Sequence, residues 1–276
     1  MKMNTRLFGI IALVGVIWFS FNACKNEPEH EPVPEEVFQN GLTFRLNNER
    51  IGYVVVDFNN SASIVQIPSS LKDLPITGIG YEAFAGCSSL ASVAIPDSVT
   101  SIGNYAFAGC SSLVSVTIPN SVTDIGYGTF SRCSSLASVT IPDSVTSIVL
   151  YTFAQCTSLA SVAIPDSVTF IGDQAFDGCS SLASITIPSG IPSIGYATFY
   201  GCSSLASVAI PDSVTSIGVG AFSGCSSLAS VTFMGIINEQ SFSYSAFPGN
   251  LKAVFLASNG GIGTYTIEMG TWTKQQ

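Results

Sequence analysis

The stretch CSSLASVAIPDSVTSIGNYAF, residues Cys87–Phe107, decides the fold, because nearly the same residues return from Cys110 onward. Seven cysteines mark this phrase at positions 87, 110, 133, 156, 179, 202 and 225, and every interval is 23 residues without a slip. A fixed period of this length indicates coils that each bury their apolar face against their neighbours, because one coil alone cannot bury it.

Within one coil, the apolar positions predict the path of the chain. Leu90–Ile95 alternates apolar and small residues, which is typical of a short strand with one buried face. Pro96 ends that strand, since proline cannot donate a ladder hydrogen bond. Val99–Gly103 is a second apolar stretch, and Ala106–Cys110 predicts a single helical or irregular turn. The phenylalanines of these turns form one predicted buried column: Phe84, Phe107, Phe130, Phe153, Phe176, Phe199 and Phe222.

The phrase resembles the BspA-like leucine-rich repeat family, whose signature L-x-x-V-x-I-P-x-S-V-T-x-I-G-x-x-A-F-x-x-C it follows over about residues 60–256. We therefore expect a mainly β leucine-rich repeat solenoid of about nine coils, with short turns or helical turns on the convex side and β-hairpin caps at both ends. Two coils depart from the phrase, where Val149 replaces the turn glycine and 189–192 reads Ser-Gly-Ile-Pro. We expect those coils to be kinked or loosened.

The two ends of the repeat region carry cap signals. Gly41–Leu46 and Ile51–Phe58 are predicted strands of a hairpin, and Leu251–Leu256 is predicted to be a last degenerate coil. Gly263–Thr266 and Gly270–Thr273 predict a closing hairpin. The predicted domains are an N-terminal cap at 37–61, leucine-rich repeats at 62–256 and a C-terminal cap at 257–276.

Residues 1–24 have the features of an export signal. Lys2 and Arg6 precede an apolar run of about 15 residues, which is short for a helix that spans a bilayer. The run ends in Ala23-Cys24, which resembles a bacterial lipobox and implies lipidation of Cys24. The alternative is an ordinary signal peptide with a chance cysteine.

Residues 25–36, KNEPEHEPVPEE, form a predicted tether, because alternating Pro and Glu cannot bury a core. Acids this soon after the lipidated cysteine resemble the surface-export signals of Bacteroides-type lipoproteins. We therefore expect a protein anchored by lipid to the outer membrane and exposed at the surface. A periplasmic spacer is the alternative.

The composition excludes several classes of function. Acids outnumber bases 18 to 9, and charged residues are only 10% of the chain. This argues against binding of nucleic acid, where phosphate neutralisation dominates affinity, and against electrostatic docking on anionic lipid. The single histidine, His30, leaves little room for Ser-His or His-metal chemistry. We expect no catalytic residue, no cofactor, no metal and no enzymatic activity.

The cysteine column and an acidic column each allow more than one interpretation. The cysteines could form a disulfide ladder or a metal site, but their odd number and parallel side chains favour free, buried thiols. Asp97, Asp143, Asp166 and Asp212 follow the strand-ending prolines. They could hold calcium, but we expect each to accept a backbone N–H in its own turn.

Tyrosines occur at the two variable positions before each turn phenylalanine. Five of the seven coils carry one there: Tyr81, Tyr105, Tyr127, Tyr151 and Tyr196. Tyrosine is favoured at interfaces because its ring adds contact area at low entropic cost. These rings are the candidate ligand-binding residues, and the alternative is that they only cover the coil edge. The strands, by contrast, present only Ser, Ala and Thr on their concave face.

These features predict a non-catalytic cell-surface lipoprotein that uses its solenoid for adhesion and protein–protein binding. The family resemblance implies host matrix or serum proteins, or other bacterial surface proteins, as partners. Its contact with the membrane is expected through the N-terminal lipid only. Two alternatives remain, namely a glycan-capturing accessory lipoprotein and a structural component of the surface or biofilm.

Overall fold

The computed structural model describes residues 36–258 and 261–275, and it is a solenoid whose coils present three sides. One side is a main parallel sheet, the second is a sheet of two-residue strands, and the third is a stack of tight turns. In chain order the elements are β1 (Glu36–Gln39), β2 (Leu42–Leu46), β3 (Tyr53–Phe58), β4 (Ile64–Gln66), β5 (Ser70–Leu71), β6 (Leu74–Ile79), β7 (Ser92–Ala94), β8 (Ser101–Ile102), β9 (Ser115–Thr117), β10 (Asp124–Ile125), β11 (Ser138–Thr140), β12 (Ser147–Ile148), β13 (Ser161–Ala163), β14 (Phe170–Ile171), β15 (Ser193–Ile194), β16 (Ser207–Ile210), β17 (Ser216–Ile217), β18 (Ser230–Phe233), a 3₁₀-helix (Glu239–Ser241), α1 (Leu251–Ala257), β19 (Gly263–Glu268) and β20 (Thr271–Lys274).

The solenoid has fewer coils than the sequence predicts, as the strands of its main sheet show. Strands β4, β7, β9, β11 and β13 pair in parallel and in register, and β16 pairs with β18 beyond a gap. The gap is the sixth coil, where residues 184–186 form no strand. The solenoid therefore has about eight turns, and the predicted count of nine is wrong.

The missing ninth coil is a helix. Leu251–Ala257 is free of glycine and proline and places Leu251 and Phe255 four residues apart on one buried face. This spacing suits a helix rather than a strand, because residues i and i+4 share one helical face. The strand predicted at 251–256 is thus replaced by α1.

The sheet of two-residue strands breaks at the two coils that depart from the phrase. In the regular coils, the turn glycine lies very close to the previous coil. At Gly103, for example, an added Cβ would be 2.7 Å from the backbone carbonyl carbon of Gly80. Gly103 N–H donates to Ile79 O, but Val149 makes no equivalent bond. Pro192 has no N–H to donate, and the ladder between β14 and β15 is absent. The predicted loosening at these coils therefore has a backbone cause.

The third side is a stack of tight turns, and no helix occurs there in the described residues. Along each turn, successive backbone N–H groups donate alternately to a carbonyl of the same coil and to a carbonyl of the next coil. Cys87 N–H donates to Phe84 O within its turn, whereas Phe84 N–H donates to Ala106 O of the next coil. The turn backbone is thereby satisfied without a helix, so the helical-turn alternative is not observed.

The core follows the turn phenylalanines. From Phe84 to Phe222 the rings stack nearly parallel at centroid distances of 5.0–5.6 Å, and Phe247 continues the column at 4.6 Å. All seven predicted rings are completely buried. Removing one should cost about 3–5 kcal/mol, because the neighbouring coils cannot close the cavity.

Both ends carry antiparallel strands. The predicted N-terminal hairpin is formed by β2 and β3, and it gains an extra strand, β1, which starts at Glu36. The C-terminal hairpin β19–β20 pairs with β18 and covers that edge of the main sheet. The N-terminal strands instead join β6 of the two-residue sheet. Edge coverage of this kind protects unpaired backbone groups from other chains.

Within residues 36–258 and 261–275, none of the helices has the length and hydropathy that a membrane crossing requires. The predicted lipid site at Cys24 and the predicted signal segment lie outside the described residues.

Candidate functional site

The turn side is built on left-handed backbone at two positions in every coil. The second residue before each turn phenylalanine has positive φ in all seven coils: Glu82, Tyr105, Gly128, Tyr151, Gln174, Ala197 and Gly220. The second residue after it also has positive φ: Gly86, Gly109, Arg132, Gln155, Gly178, Gly201 and Gly224. A side chain in this conformation costs about 1–2 kcal/mol, so each non-glycine residue here needs a compensating role.

The five predicted tyrosines occupy two different positions of this turn. Tyr81, Tyr127 and Tyr196 precede the left-handed residue, and they are 63%, 50% and 52% exposed. Tyr105 and Tyr151 are themselves left-handed, with φ of +56° and +59°, and both are half-buried. These five candidate residues, called the tyrosine stripe below, therefore form an exposed column and a half-buried one.

The structure brings only two of these rings into contact. Tyr81 and Tyr105 meet edge to face with centroids 6.3 Å apart. The Tyr105 ring also lies over Gly128, where an added Cβ would be 2.5 Å from the ring. Within the described part of the chain, Tyr127, Tyr151 and Tyr196 have no ring partner. The stripe thus consists of one pair of touching rings, Tyr81 and Tyr105, and three rings that stand apart from each other.

Side chains of the preceding coil hold the backbone of two exposed tyrosines. Asn104 Oδ1 accepts the Tyr127 N–H at 2.9 Å, and Asp173 Oδ1 accepts the Tyr196 N–H at 2.7 Å. At the other end, hydrogen bonding to Glu82 and its charge raise the pKa of Tyr81. Two of the three exposed rings, Tyr127 and Tyr196, therefore stand on a backbone that is held by a side chain of the preceding coil.

A second cluster on the turn side was missed by sequence reasoning. Arg132, Tyr151, Gln155 and Asp177 line a cavity of about 600 Å³. Gln155 lies across the following coil over Gly178 and its Nε2 approaches Asp177 Oδ2 at 3.3 Å. The signal was present in the sequence, because Arg132 and Gln155 occupy a position that is glycine in the other five coils.

The main sheet offers much less chemistry. Its outward positions are Ser, Ala or Thr, and in β7, β9, β11 and β13 they are exposed on both sides of a buried Val. Such small and similar side chains carry little information about a partner. Partner selection is better placed on the turn side.

The repeat cysteines are free thiols in the structure, and six of the seven are buried. From Cys110 to Cys225, each Sγ–H donates to the carbonyl of a phenylalanine 26 residues earlier, at 3.1–3.3 Å. Burial raises the pKa of each thiol, to about 12 for Cys156 and Cys225. Residues 36–258 and 261–275 contain no group of three or more potential metal ligands.

The acidic column behaves differently from the expectation. Asp97, Asp143, Asp166 and Asp212 are exposed, and their carboxylates accept no hydrogen bond from the described residues. The serine that follows each aspartate makes a different bond, as when Ser144 Oγ donates to Val122 O of the preceding coil at 2.6 Å. The prediction that each aspartate caps its own turn is wrong, because the turn N–H is taken by a backbone carbonyl, as when Val145 N–H donates to Pro142 O.

Comparison with known proteins identifies relatives of this architecture. The family profile described as BspA type leucine-rich repeat region matches residues 77–179 and 146–267. A crystal structure of the T. pallidum leucine-rich repeat protein is similar, with 33% identity and a TM-score of 0.64, over 70% of this chain and 91% of that one. A leucine-rich repeat protein from Eubacterium ventriosum shares the fold at 23% identity and a TM-score of 0.60, over 68% of this chain and 49% of that one. A search of curated proteins found no match.

Proposed function

This chain belongs to the BspA type leucine-rich repeat family, and on that premise we propose that it is a non-catalytic, lipid-anchored adhesin that binds other proteins at the cell surface. Solenoids of this kind present extended surfaces for binding. The proposed partners are host matrix or serum proteins, or surface proteins of other bacteria. The proposed location is the outer membrane, with the repeat region facing outward.

The observation that supports this proposal is the exposure of Tyr81, Tyr127 and Tyr196, two of which have a hydrogen-bonded backbone. Rings that only covered the coil edge would lose most of their surface to neighbouring coils, whereas these keep half or more of it. Asn104 and Asp173 bond the backbone of two of them, which reduces the ordering that binding must supply. Fixed aromatic side chains of this type are the usual anchors of protein interfaces.

The first experiment finds the ligand. The full chain, purified in detergent, is applied to an array of immobilised matrix proteins, serum proteins and glycans. Saturable binding to a protein at micromolar or lower concentration supports the adhesin. Binding to glycans alone supports the accessory glycan-capturing alternative, and binding to nothing but the chain itself supports a structural surface component.

The second experiment tests the stripe with a matched control. Changing Tyr81, Tyr127 and Tyr196 to alanine should weaken binding at least thirtyfold, about 2 kcal/mol, if even one ring is an energetic anchor. Tyr200→Ala removes a ring of similar exposure, 49%, from the other side of a turn phenylalanine. Equal affinity of the triple variant and the parent, with unchanged circular dichroism, would place the binding surface elsewhere.

The half-buried rings are tested separately. Tyr105→Ala and Tyr151→Ala remove half-buried side chains from left-handed positions and can change stability as well as binding. The free energy of unfolding of each variant is therefore measured together with its affinity. The main sheet supplies a further control in the triple variant Thr117→Ala, Thr140→Ala and Thr186→Ala. We expect its affinity to stay within twofold of the parent.

A further inference from the structure

A cavity near the C-terminal end contains a buried lysine that has no acidic partner in the part of the chain that the structure describes. The cavity has a volume of about 920 Å³ and lies between the sixth and seventh coils and the irregular eighth coil. It opens because the 3₁₀-helix Glu239–Ser241 replaces the expected two-residue strand. Only an isolated bridge between Ile217 and Phe242 joins this coil to the two-residue sheet.

Lys252 is the cation of this cavity. Its side chain is 6% exposed, and its Nζ donates one hydrogen bond, to Glu239 O at 3.0 Å. The Nζ also lies 3.8 Å from the centroid of the Tyr244 ring. The Glu239 carboxylate is not within ion-pair distance, and among the described residues no other acid is. Two of the three ammonium donors therefore have no hydrogen-bond acceptor within residues 36–258 and 261–275.

Such an arrangement is costly without a ligand. A buried ammonium is normally paired with an acid, because burial removes its hydration. The contact with an aromatic face returns only part of that loss. In a chain of net charge −9, an unpaired buried cation that borders a cavity is an attractive position for an anion.

The remaining lining suits hydroxyl-rich ligands. Ser193, Ser216 and Ser241 are half-buried in the cavity wall, and their hydroxyls form no hydrogen bond with the described residues. Tyr244 is 70% exposed although Lys252 lies against its ring, so most of the ring remains available to a ligand. An exposed aromatic surface suits the C–H face of a sugar, and free hydroxyls suit its oxygen atoms.

We propose that this cavity binds the carboxylate of an acidic sugar, either a uronic or a sialic acid, through Lys252 and Tyr244. The carboxylate accepts charge-assisted hydrogen bonds from the two free Lys252 donors. The sugar ring packs on Tyr244, and Ser193, Ser216 and Ser241 contact its hydroxyls. Tyr244 lies three residues before Phe247, the position that Tyr196 has relative to Phe199, so the site borders the turn side. It uses none of the five candidate tyrosines, and its test does not depend on the proposed adhesion.

The test compares ligands that differ only in charge. Calorimetry on the full chain in detergent uses tri-galacturonate beside its methyl ester, and sialyllactose beside its methyl ester. We expect one acid to bind at least tenfold more tightly than its neutral counterpart, and the better acid identifies the sugar class. Equal binding of acid and neutral form, or no binding of either acid at millimolar concentration, would overturn the proposal. Tighter binding of an N-acetylated tripeptide with a free C-terminus would overturn the assignment to a sugar.

Variants locate the site. Lys252→Met keeps the aliphatic stem and should weaken binding of the acid at least tenfold. Lys274→Met is the matched control, because Lys274 also lies near an aromatic ring, Tyr265, but lies outside the cavity. If Lys252→Met fails to fold, Tyr244→Ala, which leaves the cation in place, should weaken binding at least fivefold. Unchanged affinity in a folded Lys252→Met or Tyr244→Ala variant would refute the site.

Discussion

Raising the pH should unfold this protein through its buried cysteines. Burial raises the pKa of the thiols of Cys156 and Cys225 from 9.0 to about 12, and the other four buried thiols shift in the same direction. The unfolded chain therefore releases these protons at a lower pH than the folded chain. The stability that the neutral thiols contribute is complete below about pH 8 and is lost as pH rises from about 9 toward 12.

The magnitude follows from the difference between the two pKa values. A thiol has a pKa of 9.0 in the unfolded chain, so at pH 9.5 each buried thiol lowers the free energy of unfolding by about 0.8 kcal/mol. Six buried thiols together lower it by about 5 kcal/mol relative to pH 7. Domains are stable by only about 5–15 kcal/mol, so the loss is a large fraction of the total.

The assay is urea unfolding followed by circular dichroism at pH 7, 8, 9 and 9.5, with a reductant present throughout. In the control variant, Cys133, Cys156 and Cys179 are changed to alanine. The decrease in its free energy of unfolding between pH 7 and pH 9.5 should be about half that of the parent. A parent that loses less than about 1 kcal/mol over this range, or a triple variant that loses as much as the parent, would refute the explanation.

Three further predictions concern the anchor, the thiols and the turn glycines. Cys24→Ser should move the chain from the detergent phase to the aqueous phase in a partitioning assay, and a variant that still partitions with membranes would contradict the lipid anchor. Alkylation of the denatured, unreduced protein should label all seven repeat cysteines by mass spectrometry, whereas three unlabelled pairs would show a disulfide ladder. Gly218→Ala should lower the free energy of unfolding by about 1–3 kcal/mol, since the new Cβ would lie 2.8 Å from the Gly195 backbone, while Gly190→Ala, with its nearest atom at 3.4 Å, should change it by under about 1 kcal/mol. Equal effects of the two glycine changes would show that close approach of the coils does not limit this position.

The sequence by itself determined the repeat and its interior. The 23-residue period places Val, Ile, Leu, Phe and Cys at the same coil positions each time, and burial of apolar side chains is enough to stack them in register. The phenylalanine column follows from that pattern, and the two hairpins follow from the strand and turn signals of their own segments at the ends of the repeat. Val149 and Pro192 also marked the two breaks in the two-residue sheet, because their effects on backbone packing and hydrogen bonding are local.

Tertiary structure decided what the irregular residues do. The period suggested a ninth coil at 251–256, but Leu251 and Phe255 pack as one helical face against the end of the solenoid. The positive φ of Tyr105 and Tyr151 is invisible in the sequence, since neither is a glycine. It separates a predicted single stripe into an exposed and a half-buried column.

The lysine cavity shows the same division most clearly. Ser193, Ser216 and Glu239 follow the 23-residue period, but that period does not predict that Tyr244 and Lys252 join them. They meet because the eighth coil departs from the repeat and leaves a gap beside the sixth and seventh coils. Side-chain periodicity predicts which residues face the core, because burial depends on the coil position alone. It does not predict where a coil fails to close, because that depends on contacts between residues distant in the chain.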